Sequence, residues 1–220
     1  HLTCKPQPVL LLETQLVIEK FRGIEEGVSV NATEAMKDRV LESGDHPEDL
    51  LLSTNYTGFE AVYDGEVHVT DPGQQWDQVL KQYLSGNRKT PVWAYGGADF
   101  HNTEEVRIGK RLSDIQTVFL LQNRTQREVL AALQEGRMYV VRGYRFNQLR
   151  LDLFEILARD RNLKAFSGET VQMEAPPEIH FSISTDNEST RELLVQLIRN
   201  GKIVKTFKGE TPIDITYTDN

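Results

Sequence analysis

Asp99 and His101 stand two residues apart near the end of the run Trp93-Ala94-Tyr95-Gly96-Gly97-Ala98-Asp99-Phe100-His101-Asn102. Side chains alternate faces along an extended backbone, so residues i and i+2 project the same way. A carboxylate and an imidazole on one side of a strand end suit a divalent cation, and neighbouring glycines let a ligand approach closely. Two donors are half of such a site. The bland alternative is a turn aspartate beside a half-exposed histidine, since D-x-H is a common pattern. Position favours chemistry, because open α/β sheets bind ligands at the carboxyl ends of their strands.

The elements that must position this pair follow from periodicity. Residues 75–84 (QWDQVLKQYL) place Trp76, Val79, Leu80 and Tyr83 at helical spacing. Ser85-Gly86-Asn87 closes that helix, and residues 90–95 read as a strand. Upstream, residues 57–63 (TGFEAVY) alternate as a short strand, and Asp64-Gly65 follows as a turn. Downstream, 118–121 is a short apolar run. Thr125 caps a helix over 126–134 with Val129, Leu130 and Leu133 on one face, Gly136 ends it, and 138–141 (MYVV) is again strand. Strands alternating with helices predict an α/β domain with parallel pairing.

After Gly143 helical periodicity is lost. Residues 148–157 alternate, later strands read 179–184, 193–199 and 203–207, and Asn200-Gly201 is the strongest short hairpin signal. Two units are expected: residues 1–145 as α/β, and 146–220 as a small antiparallel β-sandwich-like module. Nearer the start, 9–18 (VLLLETQLVI) is the most hydrophobic run, a buried strand or the beginning of a helix, and 35–41 reads as a short helix.

Composition narrows the function classes. The formal net charge of −8, without basic runs, argues against a dedicated nucleic-acid or anionic-membrane binder. The lone Cys4 excludes an intrachain disulfide and any cysteine-based zinc cluster. No apolar stretch approaches the roughly 20 residues needed to span a bilayer. The opening His1-Leu2-Thr3-Cys4 is neither an initiator methionine nor a secretory signal, which suggests a piece of a longer polypeptide. Compartment stays open.

The block Gly96-Gly97-Ala98-Asp99-Phe100-His101-Asn102 lies about 35 residues after "TGFEAVYDG" and is followed by Gly109, Thr117 and "VLAALQEGRMYVVRG". In that order these motifs resemble the C-terminal part of a PHP (polymerase and histidinol phosphatase) domain. The family comprises metal-dependent phosphoesterases. The resemblance covers roughly residues 57–143 and implies the C-terminal portion of a distorted (β/α)7 barrel, with a β module behind it.

What it further implies is chemistry. Asp99 and His101 match the family's last pair of metal ligands and would be both catalytic and metal-binding. Ala98 stands where serine is usual. The family's opening H-x-H is not in this sequence, so the remaining ligands are expected from a missing N-terminal part of the same protein. His46, in a His-Pro step, is the one other candidate ligand; the alternative is a loop histidine. Arg142, ending the MYVVR strand, is a candidate phosphate contact, with a solvated arginine as the alternative. Glu60 is expected to hydrogen-bond locally near the site. His68 and His180 are expected at exposed strand positions without a role.

The implied cofactors are divalent ions (Mn, Zn or Fe), and the implied substrate is a phosphorylated small molecule or a phosphodiester. Paired cations about 3.5–4 Å apart activate a water and clamp phosphoryl oxygens. With its ligand set incomplete, the isolated chain is expected to be silent. Two rivals stand beside this: a PHP-like protein with a decayed site serving binding or scaffolding, and a binding role for the β tail. The tail's Phe154, Phe166, Phe181, Phe207 and Tyr217 are scattered, which offers no stacking platform.

Overall fold

The computed structural model describes residues 15–19, 47–62, 68–108, 111–142 and 149–219. His46, the expected helix at 35–41, the turn at 64–65, and Gly109 and Gly143 lie outside the described residues.

The expected barrel does not form. Strand content dominates, and among the described residues there are three α-helices: α1 (Pro47–Leu52), α2 (Gln75–Leu84) and α3 (Gln126–Glu135). The strands divide among four small sheets of two to four strands, none of them closed. Strands β2 (Gly58–Val62) and β3 (Trp93–Gly96) do pair in parallel across the α2 connection. Strands β4 (Ile115–Phe119) and β5 (Met138–Arg142) also flank a helix, yet they are antiparallel. The physical reason sits at the end of α3. Gly136 adopts φ 72°, a left-handed C-cap, and the chain turns directly into β5 beside the end of β4, with Phe119 opposite Met138. A parallel crossover would have to carry the chain back along the full length of β4 first.

The remaining strands are all antiparallel. One sheet has the order β1-β9-β10, made of Gln15–Glu19, Glu192–Arg199 and Lys202–Glu210. The other has the order β11-β8-β6-β7, made of Ile213–Thr218, Glu178–Thr185, Leu149–Ala158 and Leu163–Phe166. Alternation builds the core between them. Ile179, Phe181 and Ile183 of β8 and Leu193, Val195 and Leu197 of β9 are buried, together with Ile156, Ala158, Ala165 and Val171. Each of the larger side chains (Val, Leu, Ile, Phe) contributes about 1.5–3 kcal/mol when it leaves water.

The hairpin expected at Asn200-Gly201 is present. Both residues take positive φ, 53° and 75°, the requirement of a two-residue turn matched to strand twist. Phe181, Phe207 and Tyr217, scattered in sequence, meet edge-to-face at 5.5 and 5.8 Å between centroids. They pack with the core and form no sugar-stacking surface.

Strand β3 is tied at both ends. The indole of Trp93 donates to Gln134 O (3.0 Å), and its ring lies so close under Gly136 that a Cβ there would stand 2.3 Å from it. Trp76 of α2 donates to Val92 O at 2.9 Å. At the far end, Gly96 N–H donates to Thr117 Oγ1 and Thr117 Oγ1–H donates back to Gly96 O, both at 2.9 Å. The loop that follows therefore leaves from a fixed point.

Candidate functional site

Strand β3 stops at Gly96, before the residues that could do chemistry. Asp99 has φ 48°, a left-handed conformation that aspartate tolerates better than most residues. The expected geometry is thus corrected: Asp99 and His101 do not share a face through strand pleat. They are brought together by the left-handed backbone at Asp99, with His101 Nε2 at 3.5 Å from Asp99 Oδ1. Both stand open to solvent, His101 at 67% and Asp99 at 59% side-chain exposure.

The two glycines ahead of them have packing roles that the sequence did not reveal. A Cβ on Gly96 would meet Val140 Cγ1 at 2.6 Å and Ile115 Cγ2 at 2.7 Å, so its absence lets β3 lie against β4 and β5. A Cβ on Gly97 would fall 2.3 Å from Glu60 Oε1. Glu60, the exposed residue of β2, thereby lays its carboxylate against the first residue of the site loop.

Glu105 is the side chain that sequence reasoning missed. It lies in a short 3-10 helix (Thr103–Ile108) immediately after the pair. Its Oε1 accepts from His101 N–H at 3.1 Å and stands 3.4 Å from His101 Nδ1, with the side chain only 17% exposed. Asn102 starts the turn: its Oδ1 accepts from Glu104 N–H at 2.9 Å, and its carbonyl accepts from Glu105 N–H at 3.2 Å. Asn102-x-x-Glu105 is the sequence pattern of a helix start in which a cap residue and a back-reaching glutamate satisfy free N–H groups. That pattern was available to find Glu105. Here the glutamate reaches one residue further back, to His101.

The other expected site residues are dispersed. Arg142 ends β5, exposed, opposite Ile115 in register. His68 lies in a turn rather than a strand, with Nδ1 3.0 Å from Asp71 Oδ2. His180 is on β8 but is largely covered, between Glu155 Oε1 (3.4 Å) and Asp214 Oδ1 (3.0 Å). The hydrogen bond to Asp214 holds its imidazole above the ordinary range, with burial opposing and Glu155 adding to the rise.

As a donor set, Asp99 and His101 fit two positions of a borderline cation such as Mn or Zn. Among the described residues no three His, Cys, Asp or Glu side chains converge to hold a metal. Chemically, the loop can present one carboxylate oxygen and one imidazole nitrogen to solvent from a strand end tied by the Gly96–Thr117 hydrogen bonds. No family model, no characterised protein and no solved structure matches this chain.

Proposed function

We propose that the Asp99–His101 loop is part of a divalent-metal site in a phosphoester hydrolase, and that the isolated chain does not turn over. The observation that supports this is the approach of His101 Nε2 to Asp99 Oδ1, 3.5 Å, at an exposed loop anchored to the end of a parallel strand. One cation can bridge donors at that separation with little movement. When bound, such a cation would polarise a phosphoryl oxygen and lower the pKa of a water. The chain's own contribution is to hold the two donors, with the Glu60 carboxylate against Gly97 beside them. Arg142 is the candidate for phosphate, and among the described residues no third ligand converges on the pair.

The test is a Mn²⁺ titration of the 220-residue chain, followed by calorimetry or electron paramagnetic resonance, with Asp99→Ala and His101→Ala beside it. Weak binding that either substitution removes is the expected result, together with no hydrolysis of an aryl phosphate or its diester. Binding that survives Asp99→Ala would take Asp99 out of the site. Robust hydrolysis by this chain would overturn the incomplete-site reading.

A second reading has one observation in its favour. The lack of a third converging ligand among the described residues also suits a site that has lost its metals and serves binding. In that case wild type shows no Mn²⁺ uptake at all.

A further inference from the structure

We infer that Glu105 is a positioning residue that sets the tautomer and ring direction of His101, and so selects which imidazole nitrogen is offered beside Asp99. Its use in holding a cation rests on the function proposed above. A neutral imidazole carries its proton on one nitrogen and a lone pair on the other, and the hydrogen bond made by one nitrogen decides the role of the second. An ionised carboxylate only accepts. Glu105 Oε1 stands 3.4 Å from Nδ1, a close charge contact, and its negative charge favours the proton on Nδ1, which leaves the lone pair on Nε2. Nε2 is the nitrogen that faces Asp99.

Asp99 competes for the same proton, since its Oδ1 lies 3.5 Å from Nε2. Burial decides between the two carboxylates. Asp99 is 59% exposed and screened by water, whereas Glu105 is 17% exposed. Glu105 is also held in place by the His101 N–H and by a backbone that Asn102 caps. An imidazole that is itself two-thirds exposed has little packing to orient it, which leaves the two carboxylates beside it as its recorded side-chain contacts. Metal-binding histidines commonly rest their second N–H on such a carboxylate, and losing it typically costs about 10–100-fold in metal affinity.

Long-range ¹H–¹⁵N NMR of His101, at a pH where the ring is neutral, reads the tautomer without any metal. Wild type is expected to show Nδ1–H. Glu105→Ala should shift the ring toward Nε2–H, while Glu105→Gln, whose amide oxygen still accepts, should retain much of the Nδ1–H form. Asn102→Ala loosens the turn but leaves the carboxylate, and should also retain it. Nε2–H in wild type, or no shift in Glu105→Ala, overturns the inference. So does a shift in Asn102→Ala as large as that in Glu105→Ala, because the turn alone would then orient the ring. In a parallel Mn²⁺ titration Glu105→Ala should bind about 10–100-fold more weakly than wild type. If wild type takes up no Mn²⁺, the metal site fails, and the NMR result still decides whether Glu105 positions the ring.

Discussion

A Cβ at position 96 would press on Val140 Cγ1 and Ile115 Cγ2, with Val62 O at 3.3 Å on the remaining side. Those methyls branch close to their own backbones in β5 and β4, so relief requires the strands to separate. At position 97 the obstacle is the carboxylate of Glu60, the far end of an exposed and flexible side chain, which can swing away. Gly96→Ala is therefore expected to cost about 1–3 kcal/mol, in the range of overpacked cores. Gly97→Ala should cost under about 1 kcal/mol, while changing the surroundings of Glu60. Urea unfolding of the two variants separates them, and equal losses would show that one of these contacts is misjudged. Neither role was legible from a Gly-Gly pair. The atoms that crowd it come from strands about 20 to 45 residues later and from Glu60, and the pair itself carries no signal of them.

At the scale of elements, four strands of the larger sandwich sheet are joined across their outer face. Lys164 on β7 contacts both oxygens of Glu155 on β6 at 3.0 Å, and Glu155 and Asp214 flank His180, which links β6 through β8 to β11. Because the folded imidazole titrates above its ordinary value, about 6.5, its stabilisation is complete below that value. It is lost as pH rises through the raised folded value. The stability difference between wild type and His180→Gln should therefore shrink from mildly acidic to mildly alkaline pH. A difference that stays constant across a pH series of thermal melts would remove His180 from that role.

Elements were unevenly legible. Helix α2 spans the residues that its apolar spacing marks, and the Asn200-Gly201 turn joins the strands on either side of it. Strand β7, four residues with mostly exposed side chains, had too little pattern to be read. Strand β11 alternates cleanly, with Ile213, Ile215 and Tyr217 on its more buried face. The β4–α3–β5 segment shows a deeper limit. Period and caps locate its three elements, but strand direction depends on where the chain lands after Gly136.

At the scale of the whole molecule, the sandwich meets the end of α3 at a glycine. Gly168, between β7 and β8, has φ 84°, and a Cβ there would fall 2.1 Å from Glu135 O and 2.8 Å from Gly136 C. Next to it, Ser167 Oγ–H lies 3.2 Å from both Gly136 O and Met138 O. The sandwich thus meets the end of α3 through backbone, where nothing can rotate aside. Gly168→Ala combines that overlap with a strained φ and should destabilise by about 2 kcal/mol or more. A shift under about 0.5 kcal/mol in denaturant unfolding would show that the seam contributes little.

Sequence alone determined the local inventory: the helices at 75–84 and 126–134, the hairpin at Asn200-Gly201, the alternating strands of the tail, and Asp99 and His101 as the residues to watch. These rest on spacings of a few residues, which local backbone geometry imposes directly. Tertiary structure decided the rest. It set small, mostly antiparallel sheets in place of a (β/α)7 barrel and brought Asp99 to His101 through the left-handed backbone at Asp99. It also placed Glu105 behind the imidazole and found partners for glycines that looked idle. The sheets and the glycine partners depend on contacts between residues far apart in the chain, and the approach of Asp99 to His101 on a single backbone torsion, which residue spacing does not record; Glu105 alone was foreshadowed, by the Asn102-x-x-Glu105 spacing.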